Sequence, residues 1–126
     1  MPEERLEVLI VEDEPDVCWA LERLLSRSGL VARIAQDGRE ALSLVSPGRF
    51  RLLFLDAKLP DVDGLELARR IRQIDPELHI VLVSGYFYSD DRTVQQARAS
   101  GLVQGFIGKP FRHEEITKMT RLASSL

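Results

Sequence analysis

The chain has 126 residues, of which 44% are hydrophobic and 29% are charged, and its formal net charge is −3. This length suits one compact domain, and the composition is typical of a globular protein rather than a disordered one. The charge balance gives no general attraction to nucleic acid or to an anionic membrane, so we expect no direct nucleic-acid binding and no membrane association.

A single cysteine, Cys18, excludes an internal disulfide and a cysteine-rich metal site. No apolar stretch approaches the roughly 20 residues that a membrane span needs. The N-terminus, residues 1–5, is polar and acidic, unlike a secretory signal. We therefore expect a cytoplasmic protein.

Apolar runs and helical patterns alternate along the chain. The apolar runs predict five strands, and these are Leu6–Val11, Val31–Ala35, Leu52–Asp56, Ile80–Val83 and Val103–Ile107. The segments that follow them predict five helices, and these are Pro15 to about Arg27, Asp37 to about Val45, Leu65 to Ile74, Ser89 to Ser100, and about Arg112 to Leu122. This alternation predicts an α/β fold, with a parallel sheet covered by helices on both faces.

The third strand carries four large apolar residues without alternation, which indicates burial on both faces and a central place in the sheet. Asp56 ends this strand. By contrast, Arg33 interrupts the second run, which predicts an edge strand. His79 and His113 are predicted to lie on the surface, and Trp19 lies off the apolar stripe of the first helix, which predicts partial exposure.

Polar residues follow four of the strands: Glu12, Asp13, Asp56, Ser84 and Lys109. The carboxyl ends of parallel strands share one edge of the sheet, so we expect these side chains to meet there. Clustered carboxylates favour a hard cation such as Mg²⁺. A carboxylate beside Mg²⁺ and a lysine has the chemistry to attack phosphorus as a nucleophile.

Three further acids have simpler interpretations. Glu14 is predicted to be a charge at the start of a helix, and Asp61 and Asp63 are predicted to serve as turn and helix-cap residues.

The order and spacing of several motifs resemble the receiver domain (CheY-like) of two-component response regulators. These motifs are Glu12-Asp13, Asp56 with Pro60, Asp63-Gly64, Ser84-Gly85 and Lys109-Pro110-Phe111. The resemblance implies a flavodoxin-like, doubly wound five-stranded sheet with strand order 2-1-3-4-5. It also implies one receiver domain over residues 1–126, with its core over about residues 6–122, either as a stand-alone regulator or as part of a longer one.

By this resemblance, Asp56 accepts a phosphoryl group from a sensor histidine kinase or a phosphotransfer protein. Asp13, Asp56 and the backbone carbonyl of Lys58 would bind Mg²⁺, with Glu12 acting through water. Ser84 and Lys109 would contact the phosphoryl oxygens. The resemblance further implies a cis Lys109–Pro110 peptide bond and a kinase-docking region around Trp19 and Phe111.

The family also implies a switch. Ser84 would move toward the phosphoryl group, and Phe106 would turn into the space that Ser84 leaves; alternatively, Phe106 is an ordinary core residue. Lys58 and Tyr86 stand at positions that tune phosphoryl lifetime in the family. The signal would leave through the fourth helix, fifth strand and fifth helix, toward a downstream protein or an output domain outside this chain.

Two other functions are open. A Mg²⁺-dependent phosphohydrolase with an aspartyl nucleophile would usually carry a second acid two residues after the nucleophile, but Lys58 stands there. An interaction module that has lost phosphorylation would keep the fold alone. We therefore expect no enzyme beyond intrinsic self-phosphorylation and autodephosphorylation.

Overall fold

The structure is a computed structural model and describes residues 7–85 and 91–124. Over this part of the chain, five parallel strands form one sheet in the order β2-β1-β3-β4-β5. The strands are β1 Glu7–Val11, β2 Val31–Ala35, β3 Leu52–Asp56, β4 His79–Ser84 and β5 Gly105–Gly108. The helices are α1 Pro15–Arg27, α2 Gly38–Leu44, α3 Gly64–Ile74, α4 Arg92–Ala99 and α5 His113–Ser124. The predicted fold class and strand order are confirmed.

The centre of the sheet is β3, and every one of its residues is buried. β2 lies at the edge, as predicted, with Arg33 exposed. Because successive side chains of a strand point to opposite faces, the strands divide the core into two layers. One layer packs against α2, α3 and α4, and the other packs against α1 and α5.

Acidic side chains cap several helices, as their spacing predicts. The Asp37 carboxylate accepts a hydrogen bond from the Glu40 N–H, while the Glu40 carboxylate accepts one from the Gln36 N–H. The Asp63 carboxylate caps α3 by accepting the Leu65 N–H. Both helix starts are therefore satisfied locally, which agrees with the predicted boundaries.

Asp61 does more than form a turn. Its two carboxylate oxygens accept hydrogen bonds from the N–H groups of Gly38 and Arg39, at 2.9 and 3.0 Å. These bonds lower the pKa of the Asp61 carboxyl. The loop that leaves β3 is thus attached to the start of α2.

The prediction that β5 begins at Val103 was wrong, because the strand begins at Gly105. The Gln104 side chain explains the difference. Its Oε1 accepts the Ile80 N–H at 2.7 Å, and its Nε2 donates to the carbonyl of Gly101. A side-chain amide therefore takes the place that a backbone carbonyl would fill in a longer strand ladder.

The predicted start of α4 at Ser89 was also wrong, since the helix begins at Arg92 and the Asp91 carboxylate caps it through the Thr93 N–H. Ser89 itself, like Tyr86, lies outside the described residues. Trp19 is exposed, as predicted, and the Arg23 guanidinium stacks over its ring. None of the described helices is long and apolar enough to cross a membrane.

His79 is buried, which contradicts the predicted surface position, whereas His113 is exposed. The reason is that β4 begins at His79, one residue earlier than predicted. Strand alternation places His79 on the same face as Val81, in the layer covered by α1 and α5. Neither ring nitrogen of His79 has a hydrogen-bond partner within the described part of the chain.

This burial should make folding stability depend on pH. Burial, together with the nearby charge of Arg72, lowers the pKa of His79 below its usual 6.5. At His79, the unfolded chain therefore takes up a proton at a higher pH than the folded chain does. The contribution of His79 to stability is complete above about pH 6.5 and is lost as the pH falls below it. Urea denaturation from about pH 7.5 to about pH 5 should show a smaller loss of stability in His79→Leu than in the wild type. The exposed-site control His113→Gln should keep the wild-type pH dependence, and equal curves for all three proteins would contradict the argument.

Gly64 allows α3 to start directly against the backbone of β3. A Cβ atom at this position would lie 2.4 Å from the carbonyl oxygen of Asp56 and 2.7 Å from Cα of Ala57. The Gly64 N–H donates to the Ala57 carbonyl at 2.8 Å. The glycine therefore fixes the backbone immediately after Asp56.

Gly64→Ala should destabilise the fold by about 1–3 kcal/mol, because rigid backbone atoms would have to move. The measurement is the free energy of unfolding in urea. Gly85→Ala is the matched control, since its Cβ would meet nothing closer than 3.8 Å. Equal stabilities for the two variants would show that the backbone contact at Gly64 is not restrictive.

Candidate functional site

The register of the sheet brings the predicted polar residues to one edge. Val11 pairs with Leu55, Asp56 pairs with Val83, and Ser84 pairs with Gly108. The residues that follow β1 and β5 therefore lie on either side of the carboxyl ends of β3 and β4. This edge holds the predicted carboxylates, the hydroxyl and the lysine.

Three carboxylates meet at this edge. Oxygen atoms of Glu12, Asp13 and Asp56 lie within 4.8 Å of one another. Glu12 and Asp56 are buried, with 2% and 6% of their surface exposed, while Asp13 is exposed. Three oxygen ligands, two of them buried and one open to solvent, suit a hard divalent cation that keeps part of its water shell. The set is therefore able to bind a metal ion.

Both oxygens of Glu12 are already engaged. Oε2 accepts the N–H groups of Asp13 and Glu14, at 3.0 and 3.1 Å, and Oε1 lies 2.7 Å from Lys109 Nζ. Burial raises the pKa of Glu12 to about 7, although the hydrogen bond from Lys109 opposes this shift. Because both oxygens already contact protein groups, Glu12 is better placed to contact a cation through a water molecule than to bind it directly.

Lys109 is the cation that balances this cluster. Its Nζ lies 2.7 Å from Glu12 Oε1, 3.1 Å from Glu14 Oε1 and 3.6 Å from Asp56 Oδ1. Burial alone would lower the pKa of Lys109, but hydrogen bonds from Nζ to Glu12 and Glu14 outweigh burial, and the pKa is raised. The side chain is therefore a permanent positive charge at this edge.

The backbone around Lys109 is also fixed. Its N–H donates to the Ser84 carbonyl at 2.9 Å, and the Lys109–Pro110 peptide bond is cis, as the sequence resemblance implies.

An open cavity of about 380 Å³ gives access to Asp56. Its walls come from the loops after β1, β3, β4 and β5, and the lining residues are Asp13, Glu14, Asp56, Lys58, Leu59, Pro60, Gly85 and Lys109. Ser84 does not line the cavity; it is 1% exposed and precedes the lining residue Gly85. The carboxylate of Asp56 is thus reachable from solvent, although it is mostly buried.

The loop after Asp56 is tightly folded. The Lys58 N–H donates to Asp56 Oδ1 at 3.4 Å, and Lys58 forms an isolated antiparallel bridge with Asp63. Both contacts bring the Lys58 backbone back toward the carboxylate. This is the segment whose carbonyl the resemblance assigns to the metal.

Phe106 lies on β5 opposite Leu82, partly buried against the layer that contains α4. Tyr86, the second predicted rate-tuning residue, falls outside the described residues. The contact of Glu14 with Lys109 was not predicted, because the position of Glu14 indicated only a charge at the start of a helix. The one sequence feature that pointed to this contact is that Glu14 directly follows Glu12 and Asp13 in the chain.

Comparison with known proteins agrees with this geometry. The profile of the response regulator receiver domain matches residues 8–121. The chain is 35% identical over 117 residues to the response regulator MprA of Mycolicibacterium vanbaalenii, an alignment that covers 90% of this chain and 48% of MprA. It is also 35% identical over 119 residues to the nitrogen assimilation regulatory protein NtrX of Azorhizobium caulinodans, with 93% of this chain and 26% of NtrX covered.

Among solved structures, the fold is similar to the signal receiver domain of an HD domain-containing protein from Pseudomonas fluorescens Pf-5. The TM-score is 0.84 and the identity 28%, and the match covers 97% of this chain and 96% of that one. The chain spans about half the length of MprA and about a quarter of NtrX. With the profile matched over nearly the whole chain, this protein belongs to the response regulator receiver domain family of two-component signal transduction.

Proposed function

We propose that Asp56 is the phosphoacceptor of this receiver domain. The observation that supports this most strongly is the position of its carboxylate. It ends the central strand, opens into the cavity, lies within 4.8 Å of the Glu12 and Asp13 carboxylates, and has Lys109 Nζ at 3.6 Å. A mostly buried carboxylate between a cation-binding cluster and an ammonium group is suited to nucleophilic attack on phosphorus.

In the proposed reaction, a carboxylate oxygen of Asp56 attacks the phosphorus of a phosphohistidine on a sensor kinase or a phosphotransfer protein. The new P–O bond forms an acyl phosphate as the P–N bond breaks, and the electron pair of that bond stays on the imidazole nitrogen, which takes up a proton. Lys109 neutralises charge on the phosphoryl oxygens. Ser84, at the end of the adjacent strand, would donate its hydroxyl to one of them after it moves toward the cavity.

The residues proposed to hold Mg²⁺ are Asp13, Asp56 and the carbonyl of Lys58, with Glu12 contributing through water. When bound, Mg²⁺ would supply positive charge that offsets the three carboxylates and the incoming phosphoryl group. Lys58 and Tyr86 are proposed to tune the lifetime of the acyl phosphate, since their side chains follow Asp56 and Ser84 by two residues.

The proposed output is a change on the α4–β5–α5 surface. Phe106 would turn inward when Ser84 moves; a phenyl ring has no hydroxyl to leave unpaired in the interior. Such a two-state rearrangement links a charge event at Asp56 to a distant surface.

The partners proposed are a kinase or phosphotransfer protein and either a downstream protein or an output domain of a longer regulator. Trp19, 61% exposed, and Phe111 are proposed to contribute to kinase docking. We propose one receiver domain over residues 1–126, located in the cytoplasm and without direct contacts to nucleic acid.

The protein is a receiver domain and not a classical enzyme. The only catalysis that we propose for it is its own phosphorylation from small donors and its own dephosphorylation. Lys58, and not an acid, occupies the position where an aspartyl phosphohydrolase would carry its general acid.

Phosphorylation has a direct test. Incubation with acetyl phosphate and Mg²⁺, followed by intact-mass measurement, should add one phosphoryl group to the wild type and none to Asp56→Ala. Asp16→Asn, which changes an exposed acid in the first turn of α1, should be modified like the wild type. An unmodified wild type would favour an interaction module that has lost phosphorylation, and continuous release of phosphate from esters would favour the hydrolase.

Crowding of the carboxylates gives a second prediction. Asp56→Asn should raise the stability of the metal-free protein by an amount on the order of 1 kcal/mol. The change relieves repulsion between Asp56 and two carboxylates, Glu12 and Asp13, whereas the ion pair of Asp56 with Lys109, at 3.6 Å, is longer than a hydrogen bond. The same change should weaken Mg²⁺ binding about tenfold or more, since one charged ligand is lost. Urea denaturation without metal and calorimetric Mg²⁺ titration measure the two effects, with Asp16→Asn as the control. A less stable metal-free variant would contradict the repulsion argument.

A further inference from the structure

The contacts of Lys109 are unequal. Its Nζ lies within hydrogen-bonding distance of Glu12 and Glu14, at 2.7 and 3.1 Å, whereas the 3.6 Å to Asp56 exceeds a normal hydrogen bond. The ammonium group therefore forms hydrogen bonds with the two glutamates at the end of β1 and the start of α1, and only a longer ion pair with the carboxylate that would receive the phosphoryl group.

The two glutamates hold Lys109 differently. The Glu12 side chain is 2% exposed, and two backbone N–H groups donate hydrogen bonds to it. Glu12 therefore cannot move away from Lys109 without breaking these hydrogen bonds. The Glu14 side chain is 62% exposed, and an exposed ion pair contributes little free energy. Of the two contacts, that of Glu14 is the easier to break.

Glu14 does not serve α1 in the way its position suggests. It occupies the N-cap position before Pro15, yet its side chain forms no capping hydrogen bond. Its carboxylate instead accepts a hydrogen bond from Lys109 Nζ. It also lines the cavity beside Asp13 and Asp56, so it stands where it competes directly with Asp56 for the ammonium group.

From this geometry we propose that Glu14 is a positioning residue that holds the Lys109 ammonium at the rim of the cavity while Asp56 is unmodified. Modification of Asp56 would then transfer Lys109 from Glu14 to the phosphoryl oxygens. The inference rests on the proposed phosphoacceptor role of Asp56. A phosphoryl group carries more charge than one exposed carboxylate and accepts stronger hydrogen bonds, so it would win this competition.

The test uses trifluoroberyllate with Mg²⁺, a non-covalent mimic of a phosphoryl group on aspartate. Glu14→Gln removes the competing charge and nearly preserves side-chain size, so it should bind the mimic about two- to fivefold more tightly than the wild type, the range of an exposed ion pair. Asp16→Asn removes the same charge two residues later on an exposed side chain and should bind like the wild type. Added salt should shrink the difference between Glu14→Gln and the wild type.

A second readout follows Lys109 itself. In the metal-free protein, Glu14→Gln should shift the ¹H–¹⁵N resonance of the Lys109 ammonium group, while saturation with trifluoroberyllate and Mg²⁺ should bring the resonances of variant and wild type together. A purely structural role for Glu14 would not produce this convergence.

Equal affinities of Glu14→Gln and the wild type, an equal gain in Asp16→Asn, or an unchanged Lys109 resonance in the metal-free variant would overturn the proposal. These results leave the phosphoacceptor role intact as long as the wild type binds the mimic. A wild type that binds no trifluoroberyllate would overturn both the phosphoacceptor role and the positioning role.

Discussion

The arrangement of the candidate site depends on the balance between carboxylate and ammonium charges at the carboxyl ends of the strands. Glu12, Glu14 and Asp56 surround the ammonium group of Lys109, and the Asp13 carboxylate lies beside those of Glu12 and Asp56. Two of these carboxylates are buried, so their repulsion is not relieved by water as it would be on an open surface. Burial raises the pKa of Glu12 to about 7, while the carboxylates around Lys109 keep the lysine charged. This repulsion among the carboxylates lies at an edge of the sheet where an open cavity leaves room for a cation and an anionic group to bind.

Rigid supports hold the cluster in place. Asp56 ends a strand that is buried throughout its length, and Gly64 lets α3 press against the backbone that follows. Lys109 is tied to β4 through the Ser84 carbonyl. Asp56 is therefore held by the buried centre of the sheet, while Asp13 and Glu14 on the loop after β1 are exposed.

Much of this arrangement could be predicted from local sequence patterns. The unbroken apolar run before Asp56 predicts a central strand, and the parallel topology predicts which strand ends share an edge. The remaining features depend on contacts between residues distant in the chain. Glu14 meets a lysine 95 residues away, and the side chain of Gln104 replaces a backbone partner of Ile80. His79 is buried because the strand extends by one residue under a helix layer, which no local pattern reveals.

The attachment of Asp61 to α2 has a consequence for the loop after β3. The Lys58–Asp63 bridge joins the two ends of this loop, and the Asp61 carboxylate, which accepts the N–H groups of Gly38 and Arg39, attaches its middle to α2. The conformational entropy of the loop is therefore already reduced before a ligand binds. Ordering the Lys58 backbone then costs little of the binding free energy. Because α2 contacts the edge strand β2, the same bonds join this pre-organised loop mechanically to the side of the sheet opposite β5.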